Sequence, residues 1–268
     1  MPAQCCPEIK MESRPCVFIT GAATGIGRAT ARLFCQRGWF VGLADIDDAG
    51  LVTLGEELGE SHALEMSLDV TRPDEWRAAL STFHQRTGRL DVLLNNAGIL
   101  ISGPFEANPL ERHHAVIDVN LKGVLNGCYL AKPYLASTPG SRVINLSSIA
   151  AVYGQASLAT YSTTKFAIRA LTEALNIEWQ DNGIRVMDIM PLFVQTGMVT
   201  GLDARSMDQL GARLTAEDVA KVIWTAATYQ GSFGKVHWPV GFMATWLFRL
   251  TSLGPDRLSR FIARWIAT

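Results

Sequence analysis

Residues 16–27 read Cys16-Val17-Phe18-Ile19-Thr20-Gly21-Ala22-Ala23-Thr24-Gly25-Ile26-Gly27, and they decide the fold. A short apolar run leads straight into three glycines, and a helical spacing of apolar positions continues to Arg37. The run fits a strand covered on both faces. Glycine lets the backbone approach a ligand closely. The helix that starts at Gly25 offers free N–H groups and a partial positive charge. Together these suit the pyrophosphate of a dinucleotide. A tight turn between strand and helix also favours glycine on structural grounds alone, so the rest of the chain must decide.

Outward from this stretch, short apolar runs alternate with longer amphipathic ones. Further strands are expected at Trp39 (WFVGLAD), Ala63 (ALEMSLDV), Leu90 (LDVLLNNAG), Arg142 (RVINLSS), Ile184 (IRVMDIMP) and Lys235 to Pro239. Gly25–Arg37, Pro73–Thr87 and Leu158–Trp179 read as helices, with Pro73 suited to a first turn. Repeated βα units imply an α/β fold: a single-domain, doubly wound parallel sheet of about seven strands with helices on both faces and right-handed crossovers. The expected organisation is a loose tail over 1–15, one Rossmann-type domain over 16–240, and an apolar helical extension of it over 241–268.

Composition narrows the function. Of 268 residues, 48% are hydrophobic, enough for one large core, and the formal net charge is −1. That balance gives no electrostatic case for nucleic acid. The five cysteines have no CxxC pair, so neither a disulfide framework nor a metal site is expected. A reducing, cytoplasmic setting follows. The first fifteen residues are polar, with Pro2, Pro7 and Pro15 and no apolar signal core, and no run reaches the ~18 apolar residues of a spanning helix.

Asp45 ends the second strand, 24 residues after Gly21. A carboxylate there can accept hydrogen bonds from adenosine ribose hydroxyls and would repel a 2′-phosphate, which favours NAD over NADP. Asp47 and Asp48 follow, so an Asx turn or helix cap is the competing reading. Arg28, the one nearby basic residue, lies inside the helix and is not read as a phosphate clamp. Asp69-Val70 and Asn95-Asn96-Ala97-Gly98 end the third and fourth strands, at the sheet edge where ligands bind in such folds. Tyr161 and Lys165 are four apart and share one helix face. An ammonium beside a phenol favours the phenolate and makes tyrosine a better base. Ser148 ends the fifth strand, 13 residues before Tyr161. Asn120 falls within a helix beside apolar residues, where it needs a partner.

These ordered signals, TGxxxGxG from Thr20, NNAG from Asn95, Asn120, Ser148 and Tyr161-xxx-Lys165, resemble the short-chain dehydrogenase/reductase family from Cys16 to about Pro239. The resemblance implies an NAD-dependent oxidoreductase that moves a hydride between nicotinamide and a secondary alcohol or ketone. It implies Tyr161 as general acid/base and Lys165 as the holder of the nicotinamide ribose that depresses the tyrosine pKa. Ser148 would polarise the substrate oxygen, and Asn120 would hold a relay water. The implied cofactor contacts are Gly21, Thr24, Gly25, Ile26, Gly27, Asp45, Ile46, Asp69, Val70, Asn96, Ala97, Gly98, Tyr161, Lys165, Pro191, Val194 and Thr196. One departure stands out: Leu192 follows Pro191 where the family has glycine, which forbids easy use of positive φ and could crowd the nicotinamide amide.

Residues 196–214 read as a lid with Gly197, Gly201 and Gly211 as hinges and Met198 and Met207 as apolar cover. Tyr153 is a candidate pocket residue. The stretch from Gly241 to Leu250 is apolar and aromatic, and Arg257, Arg260 and Arg264 follow on an amphipathic segment. Packing on the core or a neighbouring subunit, a wall over a lipophilic substrate (steroid-, retinoid- or fatty-acyl-like), and peripheral membrane contact all fit this composition. The family's habit implies a homodimer or homotetramer through the helices holding Asn120 and Tyr161. An NADP-linked carbonyl reductase and a non-catalytic dinucleotide sensor are the alternatives.

Overall fold

A computed structural model describes residues 14–192, 194–195 and 214–253. The residues expected to form the lid, apart from Leu214, and the arginines at 257, 260 and 264 lie outside the described residues, as does Thr196. The elements run β1 (Cys16–Thr20), α1 (Gly25–Gln36), β2 (Phe40–Asp45), α2 (Asp48–Leu58), β3 (Ala63–Ser67), α3 (Pro73–Thr87), β4 (Val92–Asn95), α4 (Leu110–Ile117), α5 (Gly123–Ala136), β5 (Arg142–Leu146), α6 (Ala159–Glu178), β6 (Arg185–Pro191), α7 (Ala216–Ala227), β7 (His237–Val240) and α8 (Phe242–Leu253). All seven expected strands form. They pair in parallel in the order β3-β2-β1-β4-β5-β6-β7. The order reverses direction between β1 and β4, and the crevice above such a switch point is where ligands bind.

Strand alternation sorts the core into two layers. Cys16 and Phe18 join Phe40, Trp76 and Phe83 on one face of the sheet, while Val17 and Ile19 join Leu43, Phe34 and Ile223 on the other. Phe18 stacks on Trp76 and meets Phe83 edge-on. Helix α3 starts with Pro73 at its first turn and ends on Gly88 in the left-handed region (φ 68°). The third and fourth strands stop short of their apolar runs because polar side chains take over the chain path. Asp69 Oδ1 accepts from the Thr71 N–H at 2.9 Å and the Thr71 hydroxyl at 2.8 Å, and Asn96 turns back to β1. The Cys16 and Cys128 thiols are pushed up to about 12, chiefly by burial, which makes them inert packing groups.

One charged cluster ties β6, β7, α6 and α8 together. Asp188, fully buried on β6, lies with both carboxylate oxygens 3.0 Å from His237 Nδ1. His237 Nε2 meets Glu173 at 3.0 Å, and Glu173 accepts from Arg169 at 3.0 Å. Phe248 of α8 covers both the imidazole and the Arg169 guanidinium, at 5.5 and 5.3 Å. Burial pulls the His237 pKa down, but the hydrogen bond and charge of Asp188, helped by Glu173, outweigh it, and the net direction is up. A raised imidazolium pKa contributes stability that is complete below the free imidazole's ~6.5 and is lost as pH rises through the folded value. Urea midpoints measured across that window should therefore fall as pH increases. His237→Gln should remove most of the slope and cost about 3–5 kcal/mol, because it leaves Asp188 buried without its cationic partner. A variant with an unchanged slope would contradict this pairing.

Candidate active site

Above the β1/β4 switch point opens a cavity of about 450 Å3. Its floor at one end is the glycine turn. Gly21 and Gly25 have φ of 66° and 53°, values side chains disfavour. Gly27 is excluded from change by contact: a Cβ there would stand 2.0 Å from the Gly21 carbonyl oxygen. Thr24 precedes α1 but gives no side-chain cap, so the first-turn N–H groups are left for a ligand. A nucleotide diphosphate fits this cradle, where a side chain would not.

Asp45 faces the same cavity. Its Oδ2 accepts from the Ala23 N–H at 2.9 Å and its Oδ1 from the Asp47 N–H at 3.1 Å. The Asx-turn reading is therefore present, and it fixes the carboxylate at the edge of the glycine turn with acceptor capacity to spare. Asp47 supplies the cap of α2, accepting from the Gly50 N–H at 3.0 Å. Arg28 contacts Glu57 at 3.3 Å, and Arg32 engages the same carboxylate. Ile46, Asp69 and Val70 line the same end of the cavity, with Asn96, Ala97 and Gly98 along its middle.

Asn96 Nδ2 donates to the carbonyls of Thr20 and Gly21 at 2.8 and 2.9 Å. Thr20 Oγ1 accepts the N–H groups of Asn96 and Ala97 at 3.0 and 3.1 Å. This reciprocal clamp locks β4 to the glycine turn. Behind it, Asn95 donates to Asn145 at 2.9 Å and Asn145 donates to Thr172 at 3.0 Å, a buried polar ladder into α6.

Tyr161 and Lys165 share a face of α6, with Lys165 Nζ 5.4 Å from the phenol ring centre. Lys165 is buried, its Nζ donates to the Leu146 carbonyl at 2.7 Å, and burial pulls its pKa down to about 8. Burial also pushes the Tyr161 phenol above its usual range, while a hydrogen bond with Ser148 pulls it back. The pairing with Lys165 predicts a depressed phenol; the net direction is instead up, set by burial, and the opposing cause is the Ser148 hydrogen bond. Ser148 is held by accepting from the Ala150 N–H at 3.2 Å and donating to the Pro191 carbonyl at 3.4 Å.

Asn120 sits in a five-residue π-helical turn, Asp118–Lys122, between α4 and α5. Its amide pairs with the backbone of Ile99 in both directions, at 2.8 and 2.9 Å, and donates to Thr164 at 3.3 Å. The partner that an asparagine in a helix needs is thus the strand-four loop, and π-turns often mark functional positions. Ser148, Tyr161, Lys165, Pro191 and Val194 line the cavity; Asn120 and Gly27 stand behind its wall.

The structure adds residues the sequence reading passed over. Ile99, Leu100, Ile149, Leu158 and Gln155 join Leu192 in a largely apolar part of the cavity lining. Ile99 and Ile149 directly follow motif residues, which was the available signal for those two. Leu192 needs no positive φ, since Ser157 is the sole non-glycine with one among the described residues. Leu192 lines the cavity and also packs against the cluster of Ile149, Tyr153, Ala244 and Leu247 under α8. Tyr153 belongs to that cluster and is not among the cavity-lining residues, a correction to the sequence reading: the apolar α8 covers it, and its hydroxyl finds no partner among the described residues.

Comparison with known proteins follows the same lines. A family profile described as short chain dehydrogenase matches residues 15–206. The 3-oxoacyl-[acyl-carrier-protein] reductase FabG of Thermotoga maritima is 32% identical over 84% of this chain and 94% of its own length. A 3-alpha-(or 20-beta)-hydroxysteroid dehydrogenase of Mycobacterium bovis is 39% identical over 68% of this chain and 69% of its own. The crystal structure of a 3-ketoacyl-(acyl-carrier-protein) reductase from Brucella melitensis, complexed with NADH, superposes with a TM-score of 0.78 at 26% identity, covering 86% of this chain and 98% of that one.

Proposed function

Because the chain belongs to the short-chain dehydrogenase/reductase family, we propose that it interconverts a lipophilic secondary alcohol and its ketone with NAD as cofactor. The observation that carries this is the Tyr161–Ser148 hydrogen bond, with Lys165 on the same helix face, inside one cavity with Asp45 and the uncapped start of α1. NAD, when bound, would supply the hydride acceptor and, in its oxidised form, a positive charge that favours phenolate. Tyr161 takes the proton from the substrate hydroxyl in oxidation and returns it in reduction. Ser148 holds the substrate oxygen with a second hydrogen bond. Lys165 stabilises phenolate by charge and anchors the ribose. Asn120 acts at one remove, fixing the Ile99 loop and keeping the α6 start in register. Residues 21–27 with Asp45, Ile46, Asp69, Val70 and 96–98 hold the adenosine diphosphate half. Pro191 and Val194 would hold the nicotinamide side.

The apolar end of the cavity supports a steroid-, retinoid- or fatty-acyl-like substrate, and the likeness to a hydroxysteroid dehydrogenase points the same way. Exposed Leu125 and Tyr129 on α5, with Phe166 and Ile177 on α6, support a homodimer or homotetramer through these helices. Free, buried thiols at Cys16 and Cys128 fit a reducing cytoplasm.

Cofactor choice is testable at Asp45. Fluorescence titration of the wild type should show NADH bound at least ~10-fold more tightly than NADPH, since the carboxylate repels a 2′-phosphate. Asp45→Asn keeps an acceptor for the Ala23 N–H and removes the charge, so the ratio should move toward NADPH by about tenfold. A ratio unmoved by the substitution would show that Asp45 serves the turn alone.

A further inference from the structure

His113 on α4 is a buried imidazole with a partner at each ring nitrogen, and neither partner belongs to its own helix. Nε2 lies 3.0 Å from the Phe105 carbonyl oxygen, and Nδ1 lies 2.6 Å from the Thr160 hydroxyl oxygen. A carbonyl only accepts, so Nε2 carries a proton and donates it. In the neutral ring Nδ1 then accepts, and the Thr160 hydroxyl is the donor. The Phe105 ring packs on the imidazole with centres 4.5 Å apart. Loss of either side chain of the His113–Thr160 pair would strand a buried polar atom.

Both partners belong to segments that shape the cavity. Thr160 immediately precedes Tyr161 in the first turn of α6. Phe105 lies on the loop after β4, whose residues Ile99 and Leu100 line the cavity. That loop is fastened at two further points. Asn120 pairs with the Ile99 backbone at 2.8 and 2.9 Å, and the Gly103 N–H donates to the Ser157 carbonyl at 3.0 Å. Ser157 takes a φ of 62°, a value side chains disfavour, next to the cavity residue Leu158. The segment from Ile99 to Phe105 is thus tied to the approach to Tyr161 at both Ser157 and, through His113, Thr160.

We propose that His113 is a positioning residue that sets the Ile99–Leu100 wall against the Tyr161 hydroxyl, and so selects substrates large enough to touch that wall; this rests on Tyr161 being the proton-transfer group of an alcohol or ketone site. His113 is not among the cavity-lining residues, and it acts through Phe105 and Thr160. A bulky lipophilic substrate reaches from the phenol to the wall, so a displaced wall weakens its hold. A short substrate meets the phenol without the wall and does not sense the change. The glycine turn that would receive the cofactor is clamped separately, by Thr20 and Asn96, so nucleotide affinity does not depend on His113.

The test compares His113→Ala, His113→Gln and Thr160→Val in the full chain, with NADH and two ketones, one bulky and cyclic, one short. His113→Ala and Thr160→Val should raise KM for the cyclic ketone about tenfold while kcat changes less than about threefold. KM for the short ketone and NADH affinity should stay within about twofold. Gln offers a donor and an acceptor on one amide, so His113→Gln should bring KM for the cyclic ketone back to within about threefold of the wild type. Thr160→Val removes the hydroxyl at nearly constant volume, so the contact is tested even where His113→Ala fails to fold. Equal KM rises for both ketones, or a Gln variant as poor as Ala, would overturn the proposal. Amide hydrogen exchange reads the same contact with no substrate: protection of the Gly103 N–H should fall at least ~10-fold in the Ala and Val variants and return in Gln. Unchanged protection would overturn the proposal whatever happens to turnover. A wild type that reduces neither these nor any other ketone, with exchange changing as expected, would instead sink the dehydrogenase reading, and the selective role of His113 would fall with it.

Discussion

Tyr161→Phe abolishes measurable turnover, lowering kcat by roughly 10²- to 10⁴-fold, while NADH binding stays within a factor of about two. The substitution removes a single hydroxyl. That hydroxyl is the group hydrogen-bonded to Ser148 at the end of the nucleotide cavity. The ring remains, and with it the contact to the Lys165 ammonium, so the fold and the cofactor seat survive. The loss falls on the proton transfer and not on binding. Steady-state kinetics and NADH fluorescence on one preparation check both halves. Turnover near the wild-type level would mean that another group moves the proton, and the assignment of Tyr161 would fall.

Gly27→Ala has the second largest expected effect, and for the opposite reason. Here the added atom is a lone methyl, but it has nowhere to go. Its nearest neighbours would be the Gly21 carbonyl oxygen at 2.0 Å and Asn96 Nδ2 at 2.7 Å. One is backbone, and the other is tied to the carbonyls of Thr20 and Gly21. Neither can yield without moving the turn that would receive the pyrophosphate. Affinity for NADH should drop at least ~100-fold, and overpacking should cost about 1–3 kcal/mol of stability. Isothermal titration with a urea melt measures the two together. A variant that binds NADH normally would show that the turn is not the phosphate cradle.

The sequence carried the fold almost completely, because strand residues such as Val17, Ile19, Leu43 and Ile144 are buried on a parallel sheet and announce it by uninterrupted apolar runs. The tyrosine, lysine and serine of the site were equally legible, since their order along the chain follows from a strand end and a helix face. What the sequence hid depends on contacts between distant segments. Nothing local to Asn120 says that its amide grips Ile99, or that the helix bulges there to let it. The glycine turn showed itself, but the Thr20–Asn96 clamp that holds it needed β1 and β4 side by side. The packing of Leu192 under α8 was hidden too, because its neighbours there lie far along the chain. The Asp188–His237–Glu173 cluster escaped notice for the same reason: it joins two strands and a helix through residues that look unremarkable singly.

The most direct test of the central claim is NAD-linked oxidation of a panel of secondary alcohols, cyclic and long-chain lipophilic beside short and polar, followed by NADH absorbance with Tyr161→Phe as the control. The account predicts NADH formation with the lipophilic members, lost in the control. NADH that binds but is never formed from any alcohol, nor consumed by any matching ketone, would contradict it, and so would turnover that prefers short polar alcohols.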